Sequence, residues 1–159
     1  MLLLCDEMLA GLARWLRAAG HDTALAAPGT PDPAVLARCR AEGRVLISRD
    51  QSLVGEAGTA LPSVLLRGED MDEHACGLVE ALGLDWTFAP FTRCLVDNAT
   101  LRPADESDTA RVPARSRALP GPFRACPCCG RVFWPGSHVR RMSATLARWR
   151  GLDVGPAAR

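Results

Sequence analysis

The chain has 159 residues, 48% of them hydrophobic, which is enough for one packed domain or two small ones. The apolar run LLLC near its start is interrupted by Asp6 and Glu7, so it is too short for a signal-peptide core or a membrane span. We therefore expect a cytoplasmic protein whose seven cysteines are thiols or metal ligands rather than disulfides.

The net charge of +1 is divided unevenly along the chain. Residues 1–93 contain eight arginines and thirteen acidic residues, whereas residues 94–159 contain eleven arginines and five acidic residues. This asymmetry favours an acid-based active site beside a surface that binds a polyanion. An ordinary solvated surface in an arginine-rich protein would explain the same counts, so charge alone leaves both interpretations open.

The first part of the chain alternates between short apolar runs and helical patterns. LLLC predicts a buried strand, and the segment after it carries apolar residues at helical spacing until Gly20, a typical residue for ending a helix. A second helix is predicted with Asp32 as its N-cap and Pro33 as its first residue. This β-α alternation predicts an α/β fold, a parallel sheet flanked by helices. The other predicted strands cover 21–27, 44–48 and 63–67, a short helix or turn begins at Gln51, and the last helix covers 71–83.

The composition changes after Pro90. Residues 102–122 are rich in Pro, Arg and Ser and predict a loop or a short helix within a small metal module. We therefore divide the chain into an α/β domain (1–90), a metal module (91–145) and a tail (146–159). The tail continues one helical pattern, SATLARWRGL, and its last residues, GPAAR, are expected to fray.

Acidic residues follow the predicted strands. Asp6 and Asp50 come directly after the first and third strands, and Asp32 begins the second helix. In an open parallel sheet, ligands bind at the edge where the strands end, so these acids are expected to converge. Carboxylates suit Mg²⁺ or Mn²⁺, which would support hydrolysis of a phosphodiester. Helix capping explains each acid singly, and Glu69 and Asp70 are weaker candidates for a fourth acid.

A second cluster of ligand-type residues lies towards the end of the chain. Cys126 and Cys129 in CPCCG have the spacing of a metal knuckle, and upstream Cys94 is followed at the same spacing by Asp97. Because zinc accepts carboxylate oxygen, these four predict a Cys₃Asp zinc site that holds zinc less tightly than four thiolates. His138 is an alternative fourth ligand, and Cys128 is expected to point away. Alternatively, the module has lost its metal and packs its cysteines as apolar residues.

Several basic and aromatic residues are candidates for contact with nucleic acid. An aromatic face beside arginines suits stacking on unpaired bases and contact with phosphates. The simpler alternatives are that the aromatic residues form a small core and that the arginines are solvated. The candidates are Arg14 and Arg17 on the first helix, Arg49 beside Asp50, and Trp134, His138, Arg140 and Arg141 after the knuckle.

Five motifs in order resemble the Mut-7 C-terminal RNase domain family over roughly residues 1–142. They are DEMLAGLARWLRAAGHD, DPAVL, RVLISRD, RCLVDN and CPCCGRVFWPGSHVRRM. The resemblance implies a PIN-like domain with a C-terminal zinc ribbon and a metal-dependent ribonuclease. It matches the family's acids to Asp6, Asp32 and Asp50. Asp97 departs from the family pattern, because it stands where the ribbon would carry its second cysteine.

From the residues and the resemblance together, we predict a ribonuclease that cleaves RNA, more readily when single-stranded. Mg²⁺ or Mn²⁺ would be held by Asp6, Asp32 and Asp50, and structural Zn²⁺ by the Cys₃Asp site. The main alternative is a non-catalytic nucleic-acid-binding or adaptor module on a PIN scaffold. A weaker alternative is the toxin of a toxin–antitoxin pair, against which the appended ribbon argues.

Overall fold

A computed structural model describes residues 1–152, and its centre is a four-stranded parallel sheet. The strands are short and mostly buried, and their order in the sheet is β2-β1-β3-β4. Parallel pairing of every neighbouring strand brings all four carboxyl ends to one edge. The predicted α/β fold class is thus confirmed. The strands are β1 (Leu2–Cys5), β2 (Asp22–Leu25), β3 (Val45–Ser48) and β4 (Ser63–Leu65).

Helices cover both faces of this sheet. Successive residues of β1 point to opposite faces, so that Leu3 packs in a core with α1 and α4 while Leu4 packs in a core with α2 and α3. Asp32 is not the N-cap of α2 as predicted. The helix begins at Asp32 itself, after Pro31, and no side chain caps it. The helices are α1 (Ala10–Ala18, after a 3-10 turn at Glu7–Leu9), α2 (Asp32–Glu42), α3 (Gln51–Ala57, followed by a 3-10 turn at Gly58–Ala60) and α4 (Met71–Leu82).

Gly20 allows the chain to return closely against the end of α1. Its φ is +98°, and a Cβ at this position would lie 2.2 Å from the carbonyl oxygen of Ala89. The N–H groups of Ala89 and Phe91 donate to the carbonyl oxygens of Ala19 and Ala18. The segment that leads from the α/β domain into the module is therefore hydrogen-bonded to α1.

The module contains a small antiparallel sheet in the order β5-β6-β7. The stretch 102–122, predicted as a loop or a short helix, contributes one strand and two short helices. Capping by Asp105, which accepts a hydrogen bond from the Asp108 N–H, starts the first of these helices. The elements are β5 (Arg102–Pro103), α5 (Glu106–Ala110), α6 (Ala114–Arg117), β6 (Arg124–Ala125) and β7 (Val132–Phe133).

The helical pattern predicted at the start of the tail belongs to a longer helix that begins in the module. Residues 146–150 complete α7 (Ser137–Arg150), which packs back on the α/β domain. Its apolar stripe of Met142, Leu146 and Trp149 lies in the same core as α1 and α4. A stripe at helical spacing must be buried against a partner, and the partner here is the first domain. The rest of the predicted tail, from residue 153 and including the segment expected to fray, lies outside the described residues.

Trp149 is the main contact of α7 with the domain. It is 1% exposed, and its ring centroid lies 4.8 Å from those of both Trp15 and Trp86. Its indole N–H donates to the carboxylate of Asp72 at 2.7 Å, and the same carboxylate pairs with Arg148. In the part of the chain that the structure describes, no helix is long and apolar enough to span a bilayer.

Replacing Trp149 by alanine should lower the free energy of unfolding by about 3–5 kcal/mol, because it opens a large cavity between three helices. Chemical denaturation followed by circular dichroism measures this change. The exposed neighbour Arg150 provides the control, and Arg150→Ala should leave the midpoint unchanged. A wild-type midpoint for Trp149→Ala would show that α7 is not part of the core.

Candidate metal centres and nucleic-acid surface

The buried hydroxyl group of Ser48 contacts the side chain of Asp6 and the backbone of Asp50. The Ser48 Oγ–H donates to Asp6 Oδ2 at 2.8 Å, and the same Oγ accepts the N–H of Asp50 at 2.9 Å. Ser48 is 0% exposed, and the Asp6 N–H donates to the Ile47 carbonyl, which continues the β1–β3 ladder. The two acids are therefore linked at the carboxyl edge of the sheet. Ser48 was not among the residues predicted from the sequence, although its position two residues before Asp50 was a usable signal.

Asp6 and Asp50 can each accept backbone N–H groups at the start of a helix and still bind a ligand at this edge of the sheet. Asp50 Oδ1 accepts the N–H groups of Ser52 and Leu53 and so caps α3. Asp6 Oδ1 accepts the N–H of Glu7. Because each carboxylate oxygen can accept more than one hydrogen bond or metal contact, both side chains keep capacity for a ligand.

Asp32 lies at the start of α2, on the other side of β1 from Asp50. The loop before it is tied to the same edge, since the Ala26 N–H donates to the Cys5 carbonyl and the Gly29 N–H donates to the carboxylate of Glu7. Within residues 1–152, however, Asp6, Asp32 and Asp50 do not form a group of three side chains close enough to share one ion. The topology brings the three acids to one edge but not into one group of three ligands.

Of the two candidates for a fourth acid, Asp70 caps α4. Asp70 accepts the N–H of Glu73 and forms a capping box with that residue. Glu73 in turn accepts the N–H of Glu69 at 2.8 Å. Asp70 is therefore engaged in capping a helix, and the Glu69 side chain is exposed.

The four predicted zinc ligands come together. One ligand atom from each of Cys94, Asp97, Cys126 and Cys129 lies within 4.8 Å of all the others. The Sγ atoms of Cys94 and Cys129 are 3.7 Å apart. A tetrahedral zinc with Zn–S bonds of about 2.3 Å requires about 3.8 Å between sulfurs, so the donor set fits this ion. The cluster can hold a metal such as zinc.

The two halves of this cluster have the same backbone structure. The N–H of Asn98 donates to the carbonyl of Cys94, as the N–H of Gly130 donates to that of Cys126, each at 3.1 Å. Asn98 and Gly130 have φ values of 70° and 69°, the left-handed conformation that ends each turn. Asp97 therefore occupies the position in its knuckle that Cys129 occupies in the other.

Hydrogen bonds polarise the ligands. The backbone N–H groups of Cys128 and Cys129 point to the Cys126 sulfur at 3.4 and 3.5 Å. Burial, with the thiol's hydrogen bond to Asp97, raises the pKa of Cys126 to about 12. Against the effect of desolvation, the Ala99 N–H and the neighbouring thiols lower the pKa of Asp97 to about 2. A bound dication would instead favour the deprotonated form of Cys126, because a metal ion deprotonates the thiols that bind it.

His138 is not the fourth ligand. Its Nε2 lies 2.9 Å from Nη2 of Arg14, and it is outside the ligand group. Asp97, and not His138, is therefore placed to be the fourth ligand. Cys128 is exposed and is also outside the group, as predicted.

A family model, the Mut7-C RNAse domain, matches residues 1–146. The chain belongs to the Mut7-C RNAse domain family. This confirms the resemblance derived from the five motifs, and the family points to a ribonuclease-like role with a nucleic-acid substrate. No match was found among curated proteins or among solved structures.

Arg17 is a structural residue of this Mut7-C domain, and its prediction as a nucleic-acid contact is wrong. It is 6% exposed, and its guanidinium donates to the carbonyl oxygens of Thr23, Leu95 and Val96. Because the last two belong to the first knuckle, Arg17 joins that knuckle to α1 and β2. The Asn98 side chain adds to this junction by accepting the N–H of Thr23 at 2.9 Å.

The other predicted nucleic-acid contacts are at least partly accessible. Trp134 is half-buried and lines two clefts of about 210 and 200 Å³ on the module. Arg140 and Arg141 are exposed on the first turns of α7, and Arg140 donates to the Pro135 carbonyl. Arg14 and Arg49 are exposed on the α/β domain. The aromatic face beside arginines is therefore present at the module surface.

Replacing Asp97 by cysteine should raise the affinity for zinc about tenfold or more, because thiolate is a softer ligand than carboxylate. Competition with a chromogenic chelator measures the affinity, and elemental analysis measures zinc content. Cys128→Ser is the matched control and should match wild type in both. Unchanged affinity in Asp97→Cys, or loss of zinc in Cys128→Ser, would contradict the assigned ligand set.

Proposed function

We propose that this protein hydrolyses phosphodiester bonds in single-stranded RNA at the carboxyl edge of its parallel sheet. The proposal rests on family membership over residues 1–146 together with the Asp6–Ser48–Asp50 network. Asp6, Asp32 and Asp50 would be the catalytic acids and would hold Mg²⁺ or Mn²⁺. The metal module would contribute to holding the RNA.

The acids at this edge suit a hard cation. Mg²⁺ is commonly bound through one or two carboxylates and keeps several waters, so Asp6 and Asp50 would serve as direct ligands. Asp32, on the far side of β1, would act through a water. When bound, such a cation activates water and neutralises charge on the phosphate. Ser48 would keep the Asp6 carboxylate oriented by donating to one of its oxygens.

Basic and aromatic side chains would hold the strand. Arginine pairs with phosphate through two parallel hydrogen bonds, and aromatic rings stack on unpaired bases of any sequence. We assign Arg49 to the phosphates at the acid edge and Trp134, Arg140 and Arg141 to the strand at the module. Arg14 on α1 and His138 on α7 contact one another and would extend the same surface.

A non-catalytic nucleic-acid-binding or adaptor role is the second candidate. It is favoured by one observation: Asp6, Asp32 and Asp50 do not form a three-ligand group within the described residues. Such a protein would bind RNA as well as the enzyme would, but without cleaving it.

Cleavage of a labelled single-stranded RNA with Mn²⁺ separates these candidates. We expect Asp6→Asn and Asp50→Asn to lower the cleavage rate by at least about 100-fold, because each removes a charge that holds the cation. Glu56→Gln, an exposed acid on α3, is the control and should retain wild-type activity. No cleavage by the wild type, with RNA binding retained, would establish the adaptor role instead, and equal nonzero rates in wild type, Asp6→Asn and Asp50→Asn would show that these acids are not catalytic.

Ser48→Ala should act as a milder version of these changes. The change removes the hydrogen bond to Asp6 Oδ2 and the acceptor of the Asp50 N–H but leaves both carboxylates present, so kcat should fall about tenfold with KM for RNA little changed. The Mn²⁺ concentration that gives half-maximal activity should rise, which loss of stability alone would not produce. Ser48→Thr, which keeps the hydroxyl, should recover most of the activity. An unchanged Mn²⁺ requirement in Ser48→Ala would exclude this positioning role.

A further inference from the structure

An open cleft lies beside Asp50, where β3 and β4 end. It has a volume of about 360 Å³, and its lining residues are Arg49, Gln51, Leu65, Leu66 and Arg67. It contains two arginines, one amide side chain and a floor of two leucines. Of these five, only Arg49 was a candidate from the sequence.

The register of the sheet fixes this cleft next to the acids. Ser48 pairs with Leu65, and the Leu66 N–H donates to the Ser48 carbonyl at 2.8 Å. Arg67 therefore leaves the end of β4 next to the Ser48–Asp50 segment. Because the strand order is β2-β1-β3-β4, the cleft lies on one side of the Asp6–Asp50 pair and the start of α2 lies on the other.

The two arginines of the cleft are not neutralised by nearby acids. Both are exposed, and neither forms a salt bridge with another residue in the range 1–152. Asp70, three residues after Arg67, caps α4. Of the eighteen arginines in residues 1–152, six have acidic partners: Arg38, Arg44, Arg93, Arg102, Arg111 and Arg148.

We propose that Arg67, together with Arg49, forms a subsite for the RNA phosphate next to the one that is cleaved. This inference rests on the proposed function and adds Arg67 as a residue that positions the strand. The two guanidinium groups supply the fork geometry that matches a phosphate. The strand would cross the carboxyl edge from the α2 side of β1 towards β4, with the cleaved phosphate at Asp6 and Asp50.

Binding of a fluorescent twelve-nucleotide oligouridine to the full-length Asp6→Asn protein tests this subsite without cleavage. Each phosphate contact on a single strand contributes about 0.7 to the slope of log affinity against log salt. Adding Arg67→Gln should therefore lower that slope by about 0.7 and weaken binding about fivefold at 0.1 M salt. Arg49→Gln should have a similar effect.

Arg40→Gln is the matched control. Arg40 is an exposed arginine in a similar cleft, of about 290 Å³, at the opposite edge of the same strands, where β3 begins. Its replacement removes the same charge but should leave both the slope and the affinity unchanged. A folded-state check by circular dichroism accompanies each variant.

Three outcomes would overturn the subsite, and a fourth would overturn the proposed function itself. If Arg67→Gln behaves like Arg40→Gln while the parent binds RNA, no phosphate lies at Arg67. If Arg67→Gln weakens the binding of uridine monophosphate and of the oligonucleotide equally, the cleft binds a free phosphate and not a strand. The same conclusion follows if inorganic phosphate displaces the fluorescent oligonucleotide as well as unlabelled oligonucleotide does. If the parent binds no RNA at any salt concentration, the ribonuclease proposal fails with it.

Discussion

The parallel pairing of β1 with β3 is the constraint on which the rest of this molecule depends. Strand β1 lies between β2 and β3, and its hydrogen-bonded ladder continues one residue beyond the strand, to Asp6. This register places the Asp6 carboxylate against the buried Ser48 hydroxyl, which also holds the backbone of Asp50. A shift of either strand by one residue would turn these side chains to the other face. The arrangement of the candidate active site therefore follows from the sheet itself.

The metal module is joined to the α/β domain through buried contacts and is not a separate appendage. Arg17 donates to two carbonyls of the first knuckle, and α7 returns from the second knuckle to place Trp149 in the domain core. A metal that fixes the knuckles would thus also stabilise the junction with α1 and β2. Because a preformed site rarely exists in an unfolded chain, binding of the ion contributes to folding of the whole protein.

The sequence allowed correct prediction of the elements whose signal is local. The four strands and their helices have short apolar runs and helical spacings, and the knuckles have a fixed ligand spacing that includes Asp97. The features that could not be predicted depend on contacts between distant residues. Arg17 was predicted as a nucleic-acid contact, or else a solvated arginine, because two of its three carbonyl partners are almost eighty residues away. The stripe of α7 was visible, but the partner that buries it was not. For Asp32, the pattern predicted a position at the carboxyl edge of the sheet, but not that the three acids would fail to form one group of three ligands.

The central claim is that the carboxyl edge of the sheet binds a divalent cation through Asp6 and Asp50. Anomalous diffraction from crystals grown with Mn²⁺ tests it most directly, because it locates the ion independently of activity. The account predicts a manganese peak about 2.1 Å from an oxygen of each carboxylate. It also predicts a separate zinc peak among Cys94, Asp97, Cys126 and Cys129. Zinc at the knuckles with no manganese at Asp6 and Asp50, at Mn²⁺ concentrations that support other such sites, would contradict it.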